Sequence, residues 1–80
     1  MVFEISYKRK RDPADLHSKF NRSFFVEHDS APSREEVEIL VEWISEGNFE
    51  PASIRIEEYK LFPAESLKKV GMPVYKLDLA

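Results

Sequence analysis

Between Ser33 and Gly47 the chain spells out a helix from start signal to stop signal, and any fold it adopts must accommodate that segment. Ser33 followed by Glu36 is the S-x-x-E spacing in which the serine side chain accepts from a first-turn amide while the glutamate reaches back to the cap amide. Gly47, followed by Asn48, supplies the stop, because a residue without Cβ takes the left-handed cap conformation at no steric cost. Between them Val37, Leu40, Val41 and Ile44 recur at i, i+3, i+4 and i+7. That is one stripe at the helical period, and it is expected to face a core.

Glu35, Glu38, Glu42 and Glu46 gather on the other side of the helix, about 100° to 180° round from Val37. Ile39 and Trp43 belong to neither set. They widen the apolar arc to about 200°, against roughly 100° for a helix with one buried side. Two readings follow. Another part of the chain covers that flank, as is usual for a lone tryptophan. Alternatively Trp43, with Ile39 beside it and glutamates around it, anchors a partner protein, since aromatic anchors inside a polar rim concentrate binding energy.

Eighty residues make one domain spanning 1–80, with a modest core. Hydrophobic residues at 42% and charged residues at 34% exclude the compositional regime of disorder. The chain has no cysteine, so disulfides and thiolate metal sites are ruled out and a reducing compartment is expected. The first residues alternate like a strand and carry Glu4, unlike a secretory leader, and no apolar run is long enough to span a bilayer. A soluble cytoplasmic protein with no membrane partner is the expectation.

The net charge of −3 is unevenly spread. Residues 1–25 hold six basic groups against three acidic ones, whereas residues 26–58 hold ten acidic groups against Arg34 and Arg55. Such separation bears on partners and association rates rather than on fold.

Alternation predicts a strand over residues 2–8, with Phe3, Ile5 and Tyr7 on one face and Val2, Glu4, Ser6 and Lys8 on the other. Asp12 before Pro13 suggests a short helical turn over 13–20. A second strand is expected over 22–28, with Phe24, Val26 and His28 opposed to Phe25 and Glu27. A third spans 53–62, and the change of apolar parity at Glu57, Glu58 and Tyr59 predicts a bulge or a sheet edge. Proline at 63, lysines at 68 and 69 and Gly71 mark a short helix, and a last strand over 74–79 points Tyr75, Leu77 and Leu79 inward. The expected fold is therefore α+β: a mainly antiparallel four-stranded sheet in ββαββ order, with one main amphipathic helix and short helical turns. Right-handed crossover geometry sets the second and third strands parallel to each other if the helix joins them within one sheet.

Catalytic chemistry has little to build on. Glu27, His28, Asp29 and Ser30 are consecutive, but on a strand successive side chains point to opposite faces, so they do not converge. With His17 the only other histidine and no H-x-x-H spacing, no metal site is recognisable. Gly47 and Gly71 both read as helix stops, leaving no phosphate-cradling loop. A non-enzyme without cofactor is expected.

Two surfaces remain. Lys8, Arg9, Lys10, Arg11, Lys19 and Arg22, with Tyr7, Phe20, Phe24 and Phe25 near them in sequence, form a basic patch of the kind that combines phosphate contacts with base stacking. Glu35, Glu38, Ile39, Glu42, Trp43 and Glu46 form an acidic and apolar helix face suited to a basic protein surface, including one that normally holds nucleic acid.

The run Ser23-Phe-Phe-Val-Glu-His-Asp-Ser30, followed by Arg34-Glu-Glu-Val-Glu-Ile-Leu-Val-Glu-Trp43, looks like the strand, acidic loop and amphipathic helix of small α+β proteins carried by bacteriophages and mobile elements. In size, absence of cysteine and acidic surface the chain is similar to anti-CRISPR proteins. That resemblance implies blocking of a nucleic-acid-guided defence complex through its protein surface, in the host cytoplasm. It assigns no role to any single residue, and the basic N-terminal third departs from the strongly acidic DNA-mimic kind. The reading taken forward is a protein-binding module, an inhibitor of this phage type. A nucleic-acid-binding domain using the basic patch and a structural homodimer closed by the Trp43 flank are the alternatives.

Overall fold

The alternation at the start of the chain becomes an inner strand of a sheet. A computed structural model describes residues 1–11 and 19–76. Strand β1 (Val2–Lys10) pairs antiparallel with β2 (Lys19–Glu27), from Val2 opposite Glu27 to Lys10 opposite Lys19. On its other side β1 pairs antiparallel with β3 (Arg55–Tyr59), with Ile5 opposite Ile56. Strand β4 (Val74–Lys76) joins the free side of β2 in parallel, giving the order β3-β1-β2-β4.

The sheet is thus mixed, which corrects the mainly antiparallel expectation. Two of its three pairings are antiparallel and one is parallel. The cause lies in the helical connections, which carry the chain back so that the next strand runs the same way. Helix α1 (Arg34–Ser45) links β2 to β3 across one face, and α2 (Ala64–Lys69) links β3 to β4 across the other. Strands β2 and β3 are parallel to each other as expected, with β1 between them. Travelling in opposite directions on opposite faces gives both crossovers the same hand.

Two cores result. Phe3, Ile5, Tyr7, Phe24, Val26 and Ile54 meet Val37 and Val41 of α1, with Leu40, Ile44, Ile56 and Tyr75 packed around them. On the opposite face Val2 and Phe25 meet Ala64 and Leu67 of α2, flanked by Tyr59 and Val74. Full burial of each large apolar side chain contributes about 1.5 to 3 kcal/mol, so the smaller cluster is a substantial part of a small domain's stability. It also explains the parity change in the third strand. No bulge occurs, because five residues pair in unbroken register from Arg55 to Tyr59. Ile56 serves one core and Tyr59 the other, on a strand at the sheet edge.

Helix α1 starts where its cap signal predicts. Ser33 Oγ accepts the Glu36 N–H at 3.2 Å, and the same hydroxyl donates to Glu36 Oε1 at 2.9 Å. The glutamate grips the cap hydroxyl, where the sequence pattern suggested the cap amide. The helix stops at Ser45, two residues before Gly47, and both Glu46 (φ 56°) and Gly47 (φ 79°) are left-handed. Ser45 completes the buried stripe by donating from Oγ to the Val41 carbonyl at 2.7 Å, which lets a hydroxyl sit inside a core.

Other boundaries differ from expectation. Lys19 and Phe20 belong to β2, so the helical turn anticipated over 13–20 does not include them, and residues 12–18 lie outside the described residues. His28 follows β2, and the third strand is shorter than 53–62 because Pro51–Ser53 forms a 3-10 turn. Tyr75 packs on the first core as expected, whereas Leu77 and Leu79 lie outside the described residues.

Candidate interaction surfaces

The outer face of α1 is displayed by a helix that is firmly seated. Val37 and Val41 are fully buried. The Arg34 guanidinium donates to the Pro51 carbonyl at 2.7 Å and to the Ile54 carbonyl at 3.4 Å, tying the first turn to the segment that leads into β3. With that side fixed, Ile39 is 69% exposed and Trp43 is 73% exposed. No described part of the chain covers them. One helical turn apart, the two side chains form an apolar pair.

Glu35, Glu42 and Glu46 are exposed around this pair and Glu38 is half-buried. Among the described residues none of the four makes an ion pair. Their spacing is unfavourable: Glu38, Glu42 and Glu46 are successive i, i+4 neighbours of like charge, each pair costing about 0.2 to 0.5 kcal/mol. The last turn holds no basic residue, and Glu46 sits at the negative end of the helix dipole in a left-handed conformation. Local stability does not account for this arrangement.

The basic residues singled out in the sequence are gathered at one end of the β1–β2 pair, but not on one face. Alternation puts Lys8, Lys10 and Lys19 on the face away from α1, and Arg9 and Arg22 on the α1 side. Arg11 follows the end of β1 and is exposed. The Arg22 guanidinium lies 4.9 Å from the centre of the Phe20 ring, which stands opposite Arg9. Tyr7, Phe24 and Phe25 are core residues, so of the aromatics near the patch only Phe20 is accessible. Buried Tyr7 has its phenol pushed above the ordinary value by loss of water, with Arg9 and Arg22 pulling it back and Tyr75 adding to the rise.

Neither histidine cluster nor metal cage is assembled among the described residues. His28 Nδ1 lies 2.7 Å from the Ser30 carbonyl oxygen, which holds the ring against its own loop.

Sequence reasoning did not find a second apolar exposure. Leu61, Phe62, Val70 and Met72 flank the ends of α2 and are exposed, with lysines at 60, 68 and 69 among them. Nor did it find Arg55 as a neighbour of the basic residues, since only the β1–β3 register sets it beside Ser6. Comparison with protein-family models, with curated proteins and with solved structures finds no match.

Proposed function

We propose that this domain is a non-enzymatic protein-binding module, an inhibitor of the anti-CRISPR-like phage type, which docks the outer face of α1 on a protein of a host nucleic-acid-handling complex. The observation that carries this reading is the exposure of Trp43 beside Ile39 on a helix whose opposite side is locked into the core. A tryptophan left in water beside an isoleucine forgoes burial worth several kcal/mol, and that energy is recovered only against another surface. The unpaired glutamates define the partner's chemistry. It presents an apolar pocket for the indole and a rim of lysine and arginine, and the acidic ridge steers the two together.

The test is comparative capture from nuclease-treated host lysate with the wild-type protein, with Trp43→Ala and with Glu38→Lys/Glu42→Lys. The expected result is a stoichiometric protein retained by the wild type and lost from both variants. Equal retention by all three rejects the proposal. A light-scattering mass of two chains that Trp43→Ala returns to one would assign the same face to a second copy of this protein instead.

A further inference from the structure

On the face of the sheet away from α1, the second core stops at Val2, Phe25 and Tyr59, and no described helix covers the sheet beyond it. The register sets Ser6 between Arg55 of β3 and Ser23 of β2, Lys8 opposite Asn21, and Lys10 opposite Lys19. Ser6, Lys8, Asn21, Ser23 and Arg55 line a recess of about 710 Å³ bordered by the 3-10 turn at Pro51–Ser53. Two carboxylates share it. Glu50 Oε2 is engaged by Lys19 Nζ at 3.2 Å, and Glu4 stands at the end nearest the second core.

We infer that this recess binds the sugar-phosphate backbone of a single-stranded nucleic acid, independently of the protein-docking face on α1. Like charges directly opposite on neighbouring strands destabilise a sheet, and Lys10 faces Lys19 in that way. Glu50 serves Lys19 alone, and among the described residues Lys8, Lys10 and Arg55 make no ion pair. Protection of an open edge accounts for a lysine on β2. It does not account for Lys8 and Lys10, because β1 is flanked by β2 on one side and on the other by residues 48–50, where Lys10 N–H donates to the Asn48 carbonyl at 2.9 Å and Glu50 N–H to the Lys8 carbonyl at 3.0 Å.

The neutral groups beside these cations are hydroxyls and a carboxamide, the side chains that complete contacts to phosphate and sugar oxygens. Lys8 and Lys10, two residues apart on one strand, are separated by about 7 Å, close to the spacing of neighbouring phosphates along a nucleic-acid strand. The recess is about 10 Å across its three strands, and no helix among the described residues stands there to enter a duplex groove. The acidic ridge of α1 is on the opposite side of the sheet, and on the recess face Glu4 stands opposite Glu57 at the end away from Lys8 and Lys10.

Fluorescence anisotropy with labelled oligothymidylate, labelled oligouridylate and a duplex of the same length, each of about ten nucleotides, tests this. Either single strand is expected to bind at low salt with a log–log salt slope of about −2 for three cations, a loss of about 20-fold between about 50 and about 200 mM. Lys8→Gln/Lys10→Gln/Arg55→Gln is expected to weaken binding by at least about 10-fold and to flatten the slope. Arg9→Gln, on the other face, and Trp43→Ala are expected to stay within about 2-fold of wild type. Should the triple variant melt early, Lys8→Gln alone is read by a slope shallower by about 0.7. Absence of binding by either single strand, tighter binding of the duplex, or an equal loss from Arg9→Gln overturns the inference.

Discussion

The rings of Phe25 and Tyr59 lie 4.9 Å apart at a tilt of 60°, although their strands are not neighbours and β1 runs between them. They meet over Val2 and are closed off by Ala64 and Leu67 of α2. Phe25→Ala is therefore expected to cost about 3 to 5 kcal/mol in denaturant unfolding, as for a large side chain deleted from a well-packed interior. A cost under about 1 kcal/mol would show that the smaller cluster melts separately from the rest.

Phe25 also shows where sequence reading runs out. Its place on a different face from Phe24 and Val26 follows from alternation, but its cover does not, because α2 is six residues long and too short to display a period. The main helix was legible because its cap, stripe and stop are local signals. Sheet order was not, since the pairing of β4 with β2 depends on which edge of the sheet remains open after β3 has added to β1. The candidate surfaces divide in the same way. The width of the apolar arc at Ile39 and Trp43 was visible in the sequence, but their exposure depends on the rest of the fold. The run Lys8 to Arg11 was visible, with Lys19 and Arg22 near it in sequence, yet the division of these six between two faces and the addition of Arg55 required the register.

Glu46 combines a left-handed backbone, a like-charged neighbour one turn back at Glu42 and the negative end of a helix. Glu46→Asn relieves all three, because asparagine tolerates this conformation and carries no charge. A gain of about 0.5 to 1 kcal/mol, seen as a rise of a few degrees in Tm, is expected. Weaker partner capture accompanying that gain would separate the glutamate's role in binding from its effect on folding.

Trp43→Ala isolates the docking face from the scaffold. An exposed side chain outside both cores should change unfolding free energy by no more than about 0.5 kcal/mol, while capture of the partner weakens by about 2 kcal/mol or more. Isothermal titration against the captured protein, alongside thermal melts, checks both halves. A steep fall in Tm would return the indole to a structural role.

Tyr7 makes stability sensitive to alkaline pH. In the unfolded chain its phenol ionises near 10.0, while burial in the fold holds the proton to higher pH. Once pH passes the unfolded value, the unfolded state binds fewer protons, so stability falls as pH rises and the contribution is lost through the folded value. The difference in unfolding free energy between the wild type and Tyr7→Phe should be flat below that range and then shift in favour of the phenylalanine variant. A parallel decline in both proteins would assign the alkaline sensitivity to other groups.

Among the described strands the two inner ones come first in sequence and the two outer ones last. As the polypeptide leaves the ribosome, the β1–β2 hairpin has both its strands as soon as Glu27 has emerged, and each later strand attaches to an edge that already exists. The domain therefore grows outward from its centre as it is made, and no strand has to be threaded between two earlier ones. Loss of the final strand would leave the central hairpin and β3 paired, uncovering one side of β2 rather than dismantling the sheet.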